Sequence, residues 1–526
     1  MIAPSTTTDA RIVAFMDIGT NSIRLLLVQL HPNHSYTILT QLKEMVRLGE
    51  GEFTNQHLQP EAMDRAVLVV RQFATLARSY GADDIITVAT AATREAENQH
   101  VFVQRLRQEA RVDVRVVSGL EEARLIYLGV VSGVHLEERQ AFFIDIGGGS
   151  TEIIIGTQRQ YHYLNSLKLG AVRLTTRFLP EMQGPVPPRT YEQIRWHVRH
   201  YAVHALREMR AYRIDLALGS SGTIENLADI AARLFLKRPW QRDDVLTYTQ
   251  LEQVVALLGS LPLTERRKVP GMNPARADII MAGAAILDAL MQELALSDIR
   301  ISERGLRDGL LVDYLLKSGH APLLEDLSVR ERSVLQLGRT CRFNEAHGRA
   351  VARLALALFD SAREAKLHRL GQWERELLHY AALLHHIGAF LTYTNYQAHT
   401  YYLIRNADLL GFDQTEIAVM ATVALYHRKT LPGKKHPEFT ALNERLQRLV
   451  RVLCVLLRLA ESLDRSQAGL VQHAWLSATE GTQTVLSVQM AHDCQVDIWG
   501  VQSHVTAFEK VFRRKLDIKV VSEASE

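Results

Sequence analysis

Ala14-Phe-Met-Asp-Ile-Gly-Thr-Asn-Ser22 and Phe143-Ile-Asp-Ile-Gly-Gly-Gly-Ser-Thr-Glu152 are two versions of one pattern. Each is an apolar run that ends in Asp, turns through Gly and small hydroxylated residues, and re-enters an apolar run. The pattern predicts a strand, a tight turn and an antiparallel return strand. Backbone N–H groups and hydroxyls crowd each turn with few side chains in the way, an arrangement suited to phosphate oxygens. Asp17 and Asp145 stand at the turn mouths, where a bare carboxylate would repel phosphate. Such an acid fits with a divalent cation beside it, or as a base acting on water. Two such turns predict an internal duplication whose halves face each other across a cleft.

The pattern extends outward from each turn. Runs at Arg11–Asp17, Ile23–Leu30 and Tyr36–Arg47 predict three consecutive strands. A helix at Pro60–Tyr80, a buried strand at Ile85–Ala89, a helix at Arg94–Ala110, a strand at Val114–Val117 and a helix at Leu120–Val131 follow. The order restarts with strands at Phe142–Asp145, Glu152–Gly156 and Tyr161–Ser166. Helices at Ala171–Leu179 and Tyr191–Met209, a strand at Asp215–Leu218 running into Gly219-Ser-Ser-Gly-Thr223, a helix at Arg276–Leu296 and a strand at Ile299–Ser302 complete it. A β-β-β-α-β-α unit occurring twice predicts mixed sheets flanked by helices.

At 526 residues the chain is too long for one core, and about two to four domains are expected. After Leu311 strand patterns give way to amphipathic helices up to about Asp464, broken most clearly at Thr430-Leu-Pro-Gly-Lys-Lys-His-Pro437. Strand-like runs return after Val471. The expected divisions are 1–135, 136–311, an all-helical 312–470 and a small α/β cap at 471–526.

Composition limits the function classes. A net charge of +3 is too small to predict a polyanion ligand without local clustering. Cys341, Cys454 and Cys494 are widely spaced and form no redox or metal pattern. Met1–Ala10 shows no leader pattern, and the apolar runs Ile279–Leu287 and Val450–Leu459 are interrupted or bounded by charge. A cytoplasmic protein, with no membrane and no nucleic acid as partner, is expected.

Asp-Ile-Gly-Thr-Asn-Ser-Ile-Arg24, Ala-Thr-Ala-Ala-Thr-Arg94, Ser-Gly-Leu-Glu-Glu-Ala-Arg124 and Asp-Ile-Gly-Gly-Gly-Ser-Thr-Glu152 resemble, in order, motifs of the exopolyphosphatase/guanosine pentaphosphate phosphatase family. So do Leu169-Gly-Ala-Val-Arg-Leu174, Gly219-Ser-Ser-Gly-Thr223, Arg276-Ala-Asp278 and Gly305-Leu-Arg-Asp-Gly309. The resemblance implies duplicated actin-like (ribonuclease H-like) α/β domains and removal of the terminal phosphate of inorganic polyphosphate, or of the 5′ γ-phosphate of guanosine pentaphosphate, with Mg²⁺. By motif position it implies Glu152 and Glu122 as catalytic carboxylates, with Glu121 as the alternative to Glu122. It implies Asp145 and Glu152 as metal ligands. Phosphate contacts would be Asp17, Gly19, Thr20, Asn21, Ser22, Arg24, Arg94, Gly147, Gly148, Gly149, Ser150 and Thr151.

His347, the pair His385-His386, His399, His427 and Asp464 resemble the layout of an HD-type phosphohydrolase domain. His386 stands where such a domain carries Asp, so a hard cation would lose an oxygen ligand and the domain is expected to be non-catalytic. Basic residues gather there: Arg330, Arg332, Arg339, Arg342, Arg349 and Arg353, then Arg428, Lys429, Lys434 and Lys435. On helices such residues are solvated faces; by resemblance, Arg428, Lys429, Lys434 and Lys435 would line a polyphosphate channel in a homodimer. Two other functions fit the same residues: a phosphate-polymer or nucleotide-binding regulator with weak catalysis, and a kinase holding adenosine at Gly219-Ser-Ser-Gly. The retained pair Glu122 and Glu152 favours water activation.

Overall fold

The computed structural model describes residues 10–242, 244–318, 327–428, 430–479, 482–490 and 495–521. The chain forms two compact units, Met1–Val329 and Arg330–Glu526.

The first unit carries two sheets. Strands β1 (Arg11–Ile18), β2 (Ser22–Leu30), β3 (Tyr36–Met45), β4 (Asp84–Ala89) and β5 (Val114–Val116) lie in the order β3-β2-β1-β4-β5. Strands β6 (Ala141–Ile146), β7 (Thr151–Gly156), β8 (Tyr161–Leu167), β9 (Leu216–Ser220), β10 (Val245–Thr247) and β11 (Asp298–Ile301) lie in the order β10-β11-β9-β6-β7-β8. Read from the other edge, β8-β7-β6-β9-β11 repeats the first sheet strand for strand, as the duplication predicts. The sequence reading missed β10, a three-residue antiparallel edge strand too short to show a period of two.

Side chains alternate across each strand, and the alternation sorts the apolar residues into three cores. Ala14, Met16 and Ile18 face a core of the first half, and Phe142, Ile144 and Ile146 face one of the second. Val13 and Phe15, with Ala141 and Phe143, face a third core shared by both halves. Helices Gly119–Val131 and Leu306–Lys317 fill that shared core with Leu125, Ile126, Leu310 and Leu311. Their backbones approach closely: a Cβ on Gly129 would lie 2.0 Å from the Gly305 carbonyl oxygen, and one on Gly309 would lie 1.8 Å from that of Leu125. The division expected after Leu311 therefore falls inside a helix bound to the first half.

The helix expected over Arg94–Ala110 is broken. Asn98 hydrogen-bonds both backbone groups of Leu58, and the chain leaves the helical path between Glu95 and Gln99. Likewise Arg276–Leu296 begins as a short 3₁₀ turn and becomes helical only at Ile280–Glu293.

The second unit is helical through Glu345–Glu364, Gln372–Leu384, Tyr396–Asn406, Gln414–Leu425 and Glu444–Ser462. Its last third forms a sheet of β12 (Val471–Ala478), β13 (Gln483–Met490) and β14 (Lys515–Val521), in that order. Ala474, Leu486, Val488, Phe508 and Leu516 join the same core as Leu358, Leu377 and Leu453. The segment after Val471 thus folds onto the helices instead of forming a core of its own. Among the described residues no helix is long and apolar enough to cross a membrane.

Candidate active site

Strand parity carries the chemistry to the cleft. Asp17 continues the Val13–Phe15 face of β1, and Asp145 continues the Ala141–Phe143 face of β6, so both acids end strands that border the shared core. Register extends each position into a row: Asp17 pairs with Arg24 and Arg24 with Lys43, while Asp145 pairs with Glu152 and Glu152 with Ser166. The two turns have the same closure. Gly19 N donates to Ser22 O at 3.1 Å, and Gly147 N to Ser150 O at 3.0 Å. They also meet, since a Cβ on Gly149 would lie 2.8 Å from Thr20 Oγ1.

A cavity of about 80 Å³ lies between the turns. Asp17, Gly19, Thr20, Asn21, Ser22, Arg24, Glu122, Asp145, Gly147, Gly148, Gly149 and Ser150 are on its wall, as the sequence predicted. Three expected residues are not. Thr151 is turned away, fully buried, and donates to the Leu169 carbonyl at 2.6 Å. Its place on the return strand, one residue past the turn, reverses its direction. Arg94 is held behind the wall by Glu122 Oε2 and Val117 O, both at 2.9 Å. Glu152 is 1% exposed and lies off the wall, its Oε1 accepting from Ser166 Oγ at 2.7 Å.

The acids are strongly perturbed. Burial pushes Glu122 up to about 7 against the opposing pull of Arg94. Burial, then the neighbouring Glu122 and Asp145 charges, hold Glu152 well above the usual carboxylate range. Asp17 rises to about 6, through burial and Asp145, with Arg24 opposing. Asp145 is raised by burial, although the Ser220 hydroxyl donates to it at 2.5 Å. Ser220 reaches it because it ends β9 and pairs with Asp145 in the register of β6 with β9; Ser221, at φ 74°, then turns the chain into the following helix. Glu121 is engaged elsewhere: Arg124 holds it by two hydrogen bonds and also bonds Asp313. The geometry therefore favours Glu122 over Glu121.

Three further cations act on the site's charges without having been singled out as site residues: Arg276 on the cavity wall, and Lys43 and Arg307 off it. Arg276 is buried, in space that Gly222 leaves free; a Cβ there would lie 2.4 Å from Arg276 Nη2. Burial, then Arg24, pushes Arg276 down to about 10. Lys43 reaches solvent, yet the surrounding protein, then Arg24, Arg276 and Arg307, push it down to about 8. Arg276 and Arg307 lie inside quoted motifs; Lys43 is found only through its register with Arg24.

Two buried polar atoms on the wall lack a hydrogen-bond partner, the acceptor Asp17 Oδ1 and the donor Asn21 Nδ2. Buried orphans of this kind mark a ligand position. Among the described residues no set of three His, Cys, Asp or Glu stands together as a protein-only metal cage. Mg²⁺ needs none, because it is commonly held by one or two carboxylates, waters and substrate phosphate. Asp17 and Asp145 stand on the cavity wall and offer carboxylate oxygens to it, while the expected ligand Glu152 lies behind the wall.

In the second unit the HD-like side chains do converge. His347 Nδ1 lies 2.7 Å from Asp464 Oδ2, and the His347 ring is 5.2 Å from His385 and 6.1 Å from His386. His385 is 5.2 Å from His427, whose Nε2 meets the Tyr396 hydroxyl at 3.2 Å. Burial keeps His386 near 4 and His427 near 3, so both are neutral at ordinary pH. His399 makes no ring contact or hydrogen bond with the group among the described residues. Of the expected channel residues, Arg428 is bonded to Tyr396, Lys434 and Lys435 are exposed, and Lys429 lies outside the described residues. Arg330, Arg339 and Arg349 pair with glutamates, and Arg353 donates to the Val471 and Gln472 carbonyls. Those four form contacts within the unit instead of a free cationic face.

Residues 27–318 match the Ppx/GppA phosphatase family, and residues 329–497 match domain III of Ppx/GppA phosphatases. The chain is similar to the crystal structure of an exopolyphosphatase from Cytophaga hutchinsonii, at 27% identity and a TM-score of 0.55, over 59% of this chain and 98% of that one. An exopolyphosphatase-like protein matches at 27% identity and a TM-score of 0.54, over 58% and 98%. An Aquifex aeolicus member of the Ppx/GppA family matches at 27% identity and a TM-score of 0.50, over 59% and 100%. These likenesses agree with the duplicated actin-like architecture.

Proposed function

The chain belongs to the Ppx/GppA phosphatase family, and we propose that it is an exopolyphosphatase, hydrolysing the terminal phosphate of inorganic polyphosphate. The observation that carries this reading is the buried pair Glu122 and Glu152 beside two phosphate-sized turns, faced by Arg24, Lys43, Arg276 and Arg307. The terminal phosphate is received by the N–H groups and hydroxyls of both turns, Asn21 Nδ2 included. The four cations receive the oxygens of the phosphates behind it. Glu122, on the wall, orients a water and takes its proton; Glu152, held by Ser166, shares that proton and fixes the protonation state of the pair. Hydrolysis of this kind depends mainly on positioning and charge neutralisation. Asp17 and Asp145 would hold Mg²⁺, which supplies charge neutralisation at the phosphate oxygens.

Guanosine pentaphosphate, whose 5′ γ-phosphate presents the same terminal group, is the proposed second substrate, linking the enzyme to the stringent response. Lys434 and Lys435 are offered to a long polymer, and the helical unit is non-catalytic. A cytoplasmic homodimer completes the reading. The test is phosphate release from long-chain polyphosphate and guanosine pentaphosphate, side by side, with Mg²⁺. Tight binding of both without release would instead support a regulator.

A further inference from the structure

The acid pair is bonded to the wall of a second cavity. Beyond Ser150, which is on both walls, lies a chamber of about 680 Å³. It touches each catalytic candidate through one intermediary: Arg94, on the chamber wall, bonds Glu122, and Ser166, also on that wall, bonds Glu152. The cleft cavity is several times smaller, and the chamber has volume for about 20 waters at roughly 30 Å³ each.

The chamber wall carries three cations and two carboxyl groups. Lys168 and Arg173 stand on it, bridged by Glu95 at 3.0 and 2.9 Å, with Arg173 stacked over Phe53 at 4.1 Å. Glu52, 2% exposed, is also on its wall, and its Oε2 has no hydrogen-bond partner. Burial raises Glu52 to about 7, so its carboxyl serves as donor or acceptor to a hydrogen phosphate oxygen.

We propose that this chamber is an orthophosphate site and the exit for the released product. The inference rests on the polyphosphatase reading. After cleavage the shortened polymer still lies across Arg24, Lys43, Arg276 and Arg307, so the cleft mouth is blocked by an anion. The phosphate just cut leaves past Ser150 and Arg94 into the chamber, and the polymer advances without dissociating.

Leu120→Trp narrows the chamber and Lys168→Glu reverses a charge at its rim; neither residue belongs to the acid pair or the turns. Phosphate from long-chain polyphosphate is followed in two ways, by acid quench for cleavage and by a fluorescent phosphate sensor for release. Both variants should keep the first-turnover cleavage rate of the parent while release and steady-state turnover slow together. Lys168→Glu should also weaken binding of inorganic phosphate by roughly tenfold, the loss expected for a charged hydrogen bond. Unchanged release in both variants, folded as judged by circular dichroism, overturns the exit; so does a parallel fall in cleavage. If the parent cleaves no polyphosphate, the functional reading fails, and orthophosphate titration by calorimetry still judges the site. Equal binding by parent and Lys168→Glu overturns it there too.

Discussion

Across β1, β2 and β3 the strand-end row reads Asp17, Arg24, Lys43; across β6, β7 and β8 the matching row reads Asp145, Glu152, Ser166. The turns that close the rows have the same hydrogen bond, and the first acid is the same. Only the next two positions differ. One half carries cations that suit the substrate's negative charge. The other carries a second acid and a hydroxyl that can hold a proton. The two rows thus differ in charge at these positions, while Glu122 is brought beside the second row by the first-half helix Gly119–Val131 and Arg276 beside the first row from the second half.

The hardest test of this division is to remove the acid. Glu152→Gln and Glu122→Gln should each lower kcat by roughly 10²–10⁴-fold, the range for losing a general base, with polyphosphate binding retained. Glu121→Gln should leave kcat near the parent value, because Glu121 serves Arg124. Near-normal turnover in Glu122→Gln would remove that residue from the mechanism and bring Glu121 forward.

Removing a cation from the opposing row should act on the other parameter. Arg24→Met should raise KM by roughly 10–100-fold, corresponding to about 1.5–3 kcal/mol for a charged hydrogen bond, while kcat falls far less. A fall in kcat comparable to that of Glu152→Gln would break the division.

The acid pair also sets a pH dependence. With Glu122 raised to about 7, activity should rise as pH passes upward through that region, as one apparent step of a coupled pair. Arg94→Gln removes a charge that favours the ionised form, so the step should move to higher pH; movement to lower pH would contradict the assigned partner. For stability the sign is opposite. The folded chain keeps a proton that the unfolded chain gives up near 4.5. This contribution is therefore full below that pH and is lost as pH rises through about 7, which urea titrations across the range should show.

The smallest effect belongs to the exposed lysines. Lys434→Gln with Lys435→Gln should reduce the salt dependence of long-polyphosphate hydrolysis by about one unit of log–log slope per lysine at most and spare guanosine pentaphosphate. Equal change with both substrates would place polymer contacts elsewhere.

Most of the fold was legible because β1, β2, β6 and β7 are apolar on both faces and end in recognisable turns. Parity then fixed Asp17 and Asp145 without further information. Less could be read where a residue's role depends on a distant partner. The interruption at Asn98 depends on Leu58. The position of Arg94 depends on Glu122, and the loss of Thr151 from the site depends on Leu169. Lys43 has no local mark at all; only the register of β2 with β3 brings it to Arg24. Val471–Val521 has strand and helix periods like an independent domain, and periodicity cannot say that its apolar face lies on Leu358 and Leu377.

The crossing of Gly119–Val131 with Leu306–Lys317 has a mechanical consequence. Gly129 and Gly309 bring the two backbones into contact, and the residues around them belong to both halves. The two halves are therefore joined at this pair by backbone contact as well as by side chains. Glu122 lies about two turns from Gly129 on the first of these helices. Arg24 and Asp145 stand on different halves, so their separation across the cavity, and the place of Glu122 between them, is fixed by this joint more than by either sheet alone.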